Sequence, residues 1–289
     1  MIRADRSFTC AHGVLEPVSP LIRRIVAPNQ GPYTFRGTGT YVVGHGKVAV
    51  IDPGPDLPEH VDALLDALRG ETVTHILVTH THRDHSPAAA RLKAATGAPT
   101  FGFGPHGTAG ETVEAGADLE FTPDVRMGDG DAVEGPGWRL EATHTPGHTS
   151  NHLCFALPQE RALFSGDHVM GWSTTVIAPP DGDMAQYMRS LDRLLGRDDV
   201  VYWPAHGGPI REPKIHVQAL IAHRRARRAA ILAALGHGSA RPDELVPTVY
   251  GPDLDPRLVH AAARSVLAHL IELAGDGAVI EDGGRWHRR

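Results

Sequence analysis

Apolar and polar positions first fall into a regular pattern at Thr38. Two β-branched runs, Thr40–Val43 and Lys47–Ile51, flank Gly44-His45-Gly46 and predict a hairpin. Beyond Asp52-Pro53-Gly54, Leu57, Val61, Leu64, Leu65 and Leu68 recur at helical spacing. Val73–Thr79 then predicts a short buried strand, which runs through a polar segment and Pro87 into an alanine-rich helix. Between Thr100 and Phe164 the pattern changes to short strands and glycine turns, with Trp138–Thr143, His152–Phe155 and Ala162–Phe164 the clearest runs. This stretch predicts a second sheet. Met184, Tyr187, Met188, Leu191, Leu194 and Leu195 mark an amphipathic helix ahead of a strand at Val200–Trp203. Strands and helices interleave without strict alternation, which fits two sheets packed face to face with helices outside.

After Gly207-Gly208-Pro209 the texture becomes mostly helical. Helices are predicted near His216–Leu235, Arg241–Tyr250 and Pro256–Leu273, followed by a hairpin of Ala278–Ile280 and Trp286–Arg288 across Gly283-Gly284. Three helices and a hairpin suggest a winged-helix module, with residues 1–210 forming the first domain and 211–289 the second. Pro247 argues against the middle helix, because an interior proline costs about 3 kcal/mol.

Composition narrows the class. The 289 residues are 41% hydrophobic and 21% charged, values of an ordinary folded chain rather than a disordered or coiled-coil one. A net charge of −6 excludes a surface built throughout for nucleic acid or anionic membrane, although the segment from Arg211 onward is mildly basic. Cys10 and Cys154 are too few for a disulfide framework and too far apart for a thiolate cluster. A reducing, cytoplasmic setting is expected. No window approaches the roughly 18 apolar residues of a membrane span.

The chemistry concentrates after the third predicted strand. Thr79-His80-Thr81-His82-Arg83-Asp84-His85 places three imidazoles and a carboxylate within six residues, on a strand-to-helix loop of the kind that presents catalytic groups. Neutral imidazole and carboxylate are the borderline ligands that suit Zn²⁺ and its neighbours. On an extended loop His80 and His82 project to one side, while Asp84 and His85 can turn toward a second point. Thr145-Pro146-Gly147-His148-Thr149, Ser165-Gly166-Asp167-His168 and Pro204-Ala205-His206-Gly207 each follow a predicted strand end and set a ligand type beside a small residue.

The HxHxDH loop, the later histidine, the aspartate and the final histidine resemble the ligand elements of the metallo-β-lactamase superfamily, in order, over about Gly37 to Gly208. The resemblance implies an αββα sandwich and a dinuclear metal centre. His80, His82 and His148 would hold one ion, Asp84, His85 and His206 the other, and Asp167 would bridge them. Two divalent ions are implied, Zn²⁺ first, with Mn²⁺ or Fe²⁺ as alternatives. Flavodiiron members carry glutamate where His82 stands, so hydrolysis is favoured over redox chemistry. Asp84 is the expected catalytic group, orienting the attacking water. Ligand histidines also need outer partners for their second ring N–H. Asp52 is read equally as such a partner and as a turn residue before Pro53-Gly54. For His152 and His168, packing or exposure is favoured over contact with substrate.

Phe35-Arg36-Gly37-Thr38-Gly39-Thr40-Tyr41, Gly207-Gly208-Pro209-Ile210 and Ala222-His223-Arg224-Arg225 resemble the β-lactamase-like-protein-2 group, which carries a winged helix behind the hydrolase domain. That group implies two substrate classes, single-stranded RNA and thioesters. Three readings follow: a hydrolase of a small-molecule ester, thioester or lactone; an endoribonuclease; and a non-catalytic nucleic-acid-binding protein, which complete metal ligands disfavour. Arg224, Arg225, Arg227 and Arg228 form the densest positive run. Arg224 and Arg228 share a stripe with Val217, Ile221 and Leu235, so packed stems with carboxylate-paired heads are expected rather than phosphate contacts.

Overall fold

The structure, a computed structural model, describes residues 4–107, 116–236 and 238–289. Strands β1 (Glu16–Pro17), β2 (Ile22–Val26), β3 (Gly39–Val43) and β4 (Lys47–Ile51) pair antiparallel in turn. Helix α1 (Pro58–Ala67) carries the chain to β5 (Thr72–Leu77), parallel to β4; α2 (Ala88–Thr96) leads on to β6 (Thr100–Gly102), and β7 (Val125–Arg126) lies at the sheet edge. A second sheet is a meander of β8 (Ala132–Gly135), β9 (Trp138–His144), β10 (Leu153–Leu157) and β11 (Ala162–Gly166). From β11 the chain crosses through α3 (Met184–Leu195) to β12 (Val201–Pro204), parallel to β11.

The period of two along each strand sorts side chains into layers. Tyr41, Val43, Ala49 and Ile51 face inward and meet Trp138, Leu140, Phe155 and Phe164 of the opposite sheet in one core. Their neighbours Val42, Val48 and Val50 face outward onto Leu64 and Leu68 of the α1 segment and Leu92 of α2. On the far side, Cys154, Ala156, Leu163 and Tyr202 are covered by Tyr187, Leu191 and Leu194. The order of layers is helix, sheet, sheet, helix, the αββα sandwich that the resemblance implied and with which the patterning agreed. The second sheet begins only at Ala132, however. Thr100–Gly102 and Val125–Arg126, expected to belong to it, pair parallel with the first sheet instead, because their backbones continue the β5 edge.

Helix α4 (Pro213–Leu235) joins this sandwich to the C-terminal elements: β13 (Ser239–Ala240), α5 (Pro242–Tyr250), α6 (Val259–Gly275), β14 (Val279–Asp282) and β15 (Arg285–Arg288). Val217, Leu220 and Ile221 pack under the second sheet, whereas Ile231 and Leu235 enter a separate core with Leu245, Val246, Val266, Leu270 and Trp286. Three helices and a β-wing form the winged helix. The middle helix forms despite Pro247, which lies with Asp243, the residue one turn earlier, on the exposed side, while Leu245, Val246 and Val249 supply the buried side. Cys10 and Cys154 are free thiols. No helix among the described residues is long and apolar enough to cross a membrane.

The basic run of α4 is largely turned inward. Arg224 is only 2% exposed, donates to the Thr175 carbonyl and lies over the Tyr187 ring. Arg227 donates to the Val249 carbonyl and covers Tyr250, and Arg228 reaches Asp276 at 2.8 Å and Glu272 at 3.5 Å. Arg225 is exposed. Arg228 thus has the carboxylate partners expected of it; Arg224 does not, because the backbone carbonyl and aromatic face beneath it take that place. Removing Arg224 strands a buried carbonyl and empties packed volume, so Arg224→Ala should cost about 1–3 kcal/mol. Arg228→Ala, at a partly exposed ion pair, should cost under about 1 kcal/mol. Urea unfolding midpoints of the two variants check this ranking, which equal losses or a more damaging Arg228→Ala would reverse.

Candidate metal centre

Parallel neighbours in each sheet end on the same side of the sandwich, and the chemistry collects there. Asp52 follows β4, residues 79–85 follow β5, His148 follows β9, Asp167 follows β11 and His206 follows β12. Two residues let the loops fit. Gly147 sits at φ +140°, where a Cβ would fall 2.3 Å from the Tyr187 Cα. Gly166 sits at φ +50°, where a Cβ would meet His152 Nε2 at 2.6 Å. Only glycine tolerates that backbone and that proximity at once.

All seven sequence-predicted ligand residues converge. His80, His82 and His148 offer ring nitrogens within 4.8 Å of one another; so do His80, His85 and Asp167, and also Asp84, His85 and His206. His82 Nδ1 lies 3.0 Å from His80 Nε2 and 3.1 Å from His148 Nε2. Asp84 Oδ2 lies 3.2 Å from His206 Nε2 and 3.3 Å from His85 Nε2. Asp167 stands between the two groups, with Oδ1 at 3.3 Å from His206 and Oδ2 at 3.7 Å from His85 and 3.8 Å from His148.

The other face of each ring explains the orientation. His85 Nδ1 donates to Asp52 Oδ2 at 2.9 Å, His148 Nδ1 to the Val176 carbonyl at 2.7 Å and His206 Nδ1 to the Gly37 carbonyl at 3.2 Å. Thr79 Oγ1 gives its proton to Asp52 Oδ2, so it accepts from His80 Nδ1 at 3.0 Å. In these four rings the Nδ1–H points outward and Nε2 faces the cluster. Asp52, open in sequence between turn residue and outer partner, is both. It sits at φ +49°, an uncommon conformation outside glycine, and aims Oδ1 at the Thr79 N–H while Oδ2 serves Thr79 and His85.

Electrostatics follow from burial and proximity. Burial, then the neighbouring imidazoles His85, His82 and His148, push His80 well below the usual histidine range. Burial opposes charge on His206 as well, but Asp167 and Asp84 outweigh it and raise that ring to about 10. His85 is likewise raised well above its ordinary value, against its burial, by Asp84, Asp167 and Asp52. Asp84 and Asp167 stay ionised far below the usual carboxylate range although burial works against them, because His85 and His206 lie beside both. The buried Asp167 and the partly exposed Asp84 therefore both depend on positive charge at this point. Among the described residues, His85 Nε2 and Asp167 Oδ1 are buried without a hydrogen-bond partner. Imidazole and carboxylate donors in this arrangement fit divalent ions of the zinc type.

His152 and His168 are buried packing residues and do not reach the surface. His152 bonds Thr145 Oγ1 and accepts from the Asp167 N–H, and burial holds His168 at about 3 with His148 and Arg224 adding to the effect. Several contributors carry no ligand signature in sequence. Thr38 donates to Asp84 Oδ2 at 3.1 Å, and Phe35 stacks on Trp172, which packs beside Gly207, to form an aromatic wall near His206. The carbonyl of Val176 had no signal at all, since any residue could supply it, whereas at Gly37, with φ +121° and a Cβ position 2.0 Å from the Ala27 carbonyl oxygen, only glycine fits.

Comparison with known proteins agrees with this geometry. Residues 33–206 match the metallo-β-lactamase superfamily and residues 242–286 the β-lactamase-associated winged-helix domain. An atrochrysone carboxyl ACP thioesterase of Aspergillus terreus is 28% identical over 95% of this chain and 86% of its own. A protein of the same name from Passalora fulva is 30% identical, over 92% and 79% respectively. The crystal structure of a metallo-β-lactamase family protein from Thermus thermophilus superposes with a TM-score of 0.78 at 28% identity, covering 94% of this chain and all of that one. The chain belongs to the metallo-β-lactamase superfamily, as a hydrolase of that fold with its associated winged helix behind it.

Proposed function

We propose that this hydrolase is a thioesterase working on acyl thioesters with two divalent ions, zinc first and manganese or iron as alternatives. Residues 1–210 would form the hydrolase unit and 211–289 the appended unit. His80, His82 and His148 would hold one ion, Asp84, His85 and His206 the second, and Asp167 both. The observation that carries this reading is the outward Nδ1–H of four rings, which turns each Nε2 toward the carboxylates of Asp84 and Asp167. Bound there, such a pair of ions supplies Lewis acidity and a water acidic enough to attack at neutral pH.

The chain's own groups supply the rest. Asp84 has the most accessible carboxylate of the cluster at 26% exposure, and Thr38 and its histidine neighbours fix its direction. It orients the attacking water and takes up its proton. The half-buried Phe35 ring, stacked on the buried Trp172 that packs against Gly207, would give an acyl chain an apolar edge next to the segment that carries His206. Thioester is favoured over phosphodiester for two reasons. The relatives with thioesterase names align over most of this chain. Three of the four arginines that could have tracked a phosphate backbone are bonded within the protein.

Elemental analysis after mild loading should find close to two ions per chain. Asp167→Ala should lose the ion of Asp84, His85 and His206 before that of the three histidines, which keep their neutral ligands. Equal loss from both sites would remove Asp167 from the shared position.

Loading should also release protons. With His206 at about 10 and His85 raised, both rings hold protons in the metal-free protein at pH 7, so ions must displace them and apparent affinity must fall as pH falls. Calorimetry in buffers of different ionisation heat reads this directly. A heat independent of buffer would mean that these rings are not ligands.

Zinc- and manganese-loaded protein should hydrolyse acyl thioesters faster than aryl esters and lactones, with no cleavage of labelled single-stranded RNA. RNA cleavage without thioester turnover would reverse the assignment of bond type.

A further inference from the structure

The segment between β11 and α3 offers no ligand residue beyond Asp167, yet it touches the metal centre twice more. The Val176 carbonyl accepts the His148 Nδ1–H at 2.7 Å. The Thr175 hydroxyl donates toward the main-chain carbonyls of Asp167, at 2.7 Å, and His168, at 3.1 Å. Residues 175–176 therefore set the direction of one ring and the backbone of the shared carboxylate.

What holds those two residues comes from another part of the chain. Arg224 on α4 donates to the Thr175 carbonyl and lies 5.2 Å over the ring of Tyr187, whose hydroxyl donates to the His168 carbonyl at 3.1 Å. The backbone of Tyr187 is also the surface against which Gly147, next to His148, is pressed. Arg224 Nε has no hydrogen-bond partner among the described residues. Desolvating a guanidinium for packing alone is unfavourable, since an apolar side chain of equal length would fill the same volume. The cation is explained by what it grips.

We propose that Arg224 is a positioning residue for the metal centre, clamping residues 175–176 so that His148 and Asp167 are held in place from the C-terminal side. The inference rests on the ligand assignment proposed above. It also makes α4, whose far end enters the winged-helix core, a structural part of the site.

Four variants test it: Arg224→Met, which keeps the stem and removes the cation; Arg224→Lys; Thr175→Val, which removes only the hydroxyl; and Arg228→Met, on the same helix but away from residues 175–176. Each is titrated with Co²⁺ against a chelator, and the visible absorption of the cobalt form and the melting temperature are recorded. Arg224→Met should weaken the three-histidine site roughly 10–100-fold and shift its absorption bands, as loss of a ligand's outer partner does. Arg224→Lys should recover part of both, and Thr175→Val should weaken cobalt binding in the same direction. Arg228→Met should leave affinity and spectrum unchanged. Wild-type affinity and spectrum in Arg224→Met would overturn the proposal, as would an equal loss in Arg228→Met, which would make the effect one of general stability. If Arg224→Met does not fold, an unaltered cobalt site in Thr175→Val overturns it. A wild-type chain that binds no cobalt would sink the ligand assignment and this inference together, whereas normal wild-type binding with unaffected variants sinks the inference alone.

Discussion

Two carboxylates, Asp84 and Asp167, are held ionised among five imidazoles at one end of the sandwich, and much of the surrounding structure serves to hold them there. Taking a carboxylate out of water is costly unless positive charge and hydrogen bonds replace the water. Here the replacement is cooperative. Each of four rings is locked by an outward bond, and each lock belongs to a different segment: Asp52 after β4, Thr79 after β5, Gly37 before β3 and Val176 before α3. Loss of one segment would release one ring and leave its neighbours' charge without balance.

The topology makes that arrangement possible. β4 and β5 run parallel in one sheet, β11 and β12 in the other, so all four strands deliver their C-terminal ends to one side. The two inner faces share one core, which fixes the separation of the strand ends through the packing of Tyr41, Phe155, Phe164 and Trp203. Tyr41 ties the layers further by donating to the Pro204 carbonyl at 2.7 Å, two residues before His206. Ligand geometry is thus a property of sheet packing and not of the loops alone.

This division explains what was legible in the chain. The clustered histidines and aspartates were legible because three of the four loops carry short local motifs and the longest, His80 to His85, supplies four of them in six residues. The sandwich was legible from the β-branched runs of β3 and β4 around their glycine turn and the helical stripes of α1 and α3. Strand β2 was not, because Arg23 and Arg24 interrupt its apolar run; the structure shows Arg23 paired with Glu71, and Arg24 lying over Phe8 within reach of the Gly207 carbonyl. The start of the second sheet was misplaced because short strands of either sheet look alike until pairing is known. A backbone carbonyl such as that of Val176 leaves no trace in residue identity, and at Gly37 the glycine reflects a positive φ and a close approach to the Ala27 carbonyl rather than its role as acceptor for His206.

Arg224 shows how an ambiguous residue resolves when its surroundings are known. A dense arginine run next to a winged helix invites a nucleic-acid reading, and a shared apolar stripe invites a packing one. The packing reading sets the stems at the domain interface with their heads on carboxylates. The partners of Arg224 lie instead in the segment that also carries Asp167 and orients His148, so the charge acts inward, toward the centre. With Arg227 and Arg228 also engaged internally, Arg225 is the member of the run left exposed. A polyanion would then find one side chain where the sequence suggested four, and affinity from counterion release scales with the number of phosphates neutralised. Inward-directed charge in this run therefore weakens the case for a phosphate track.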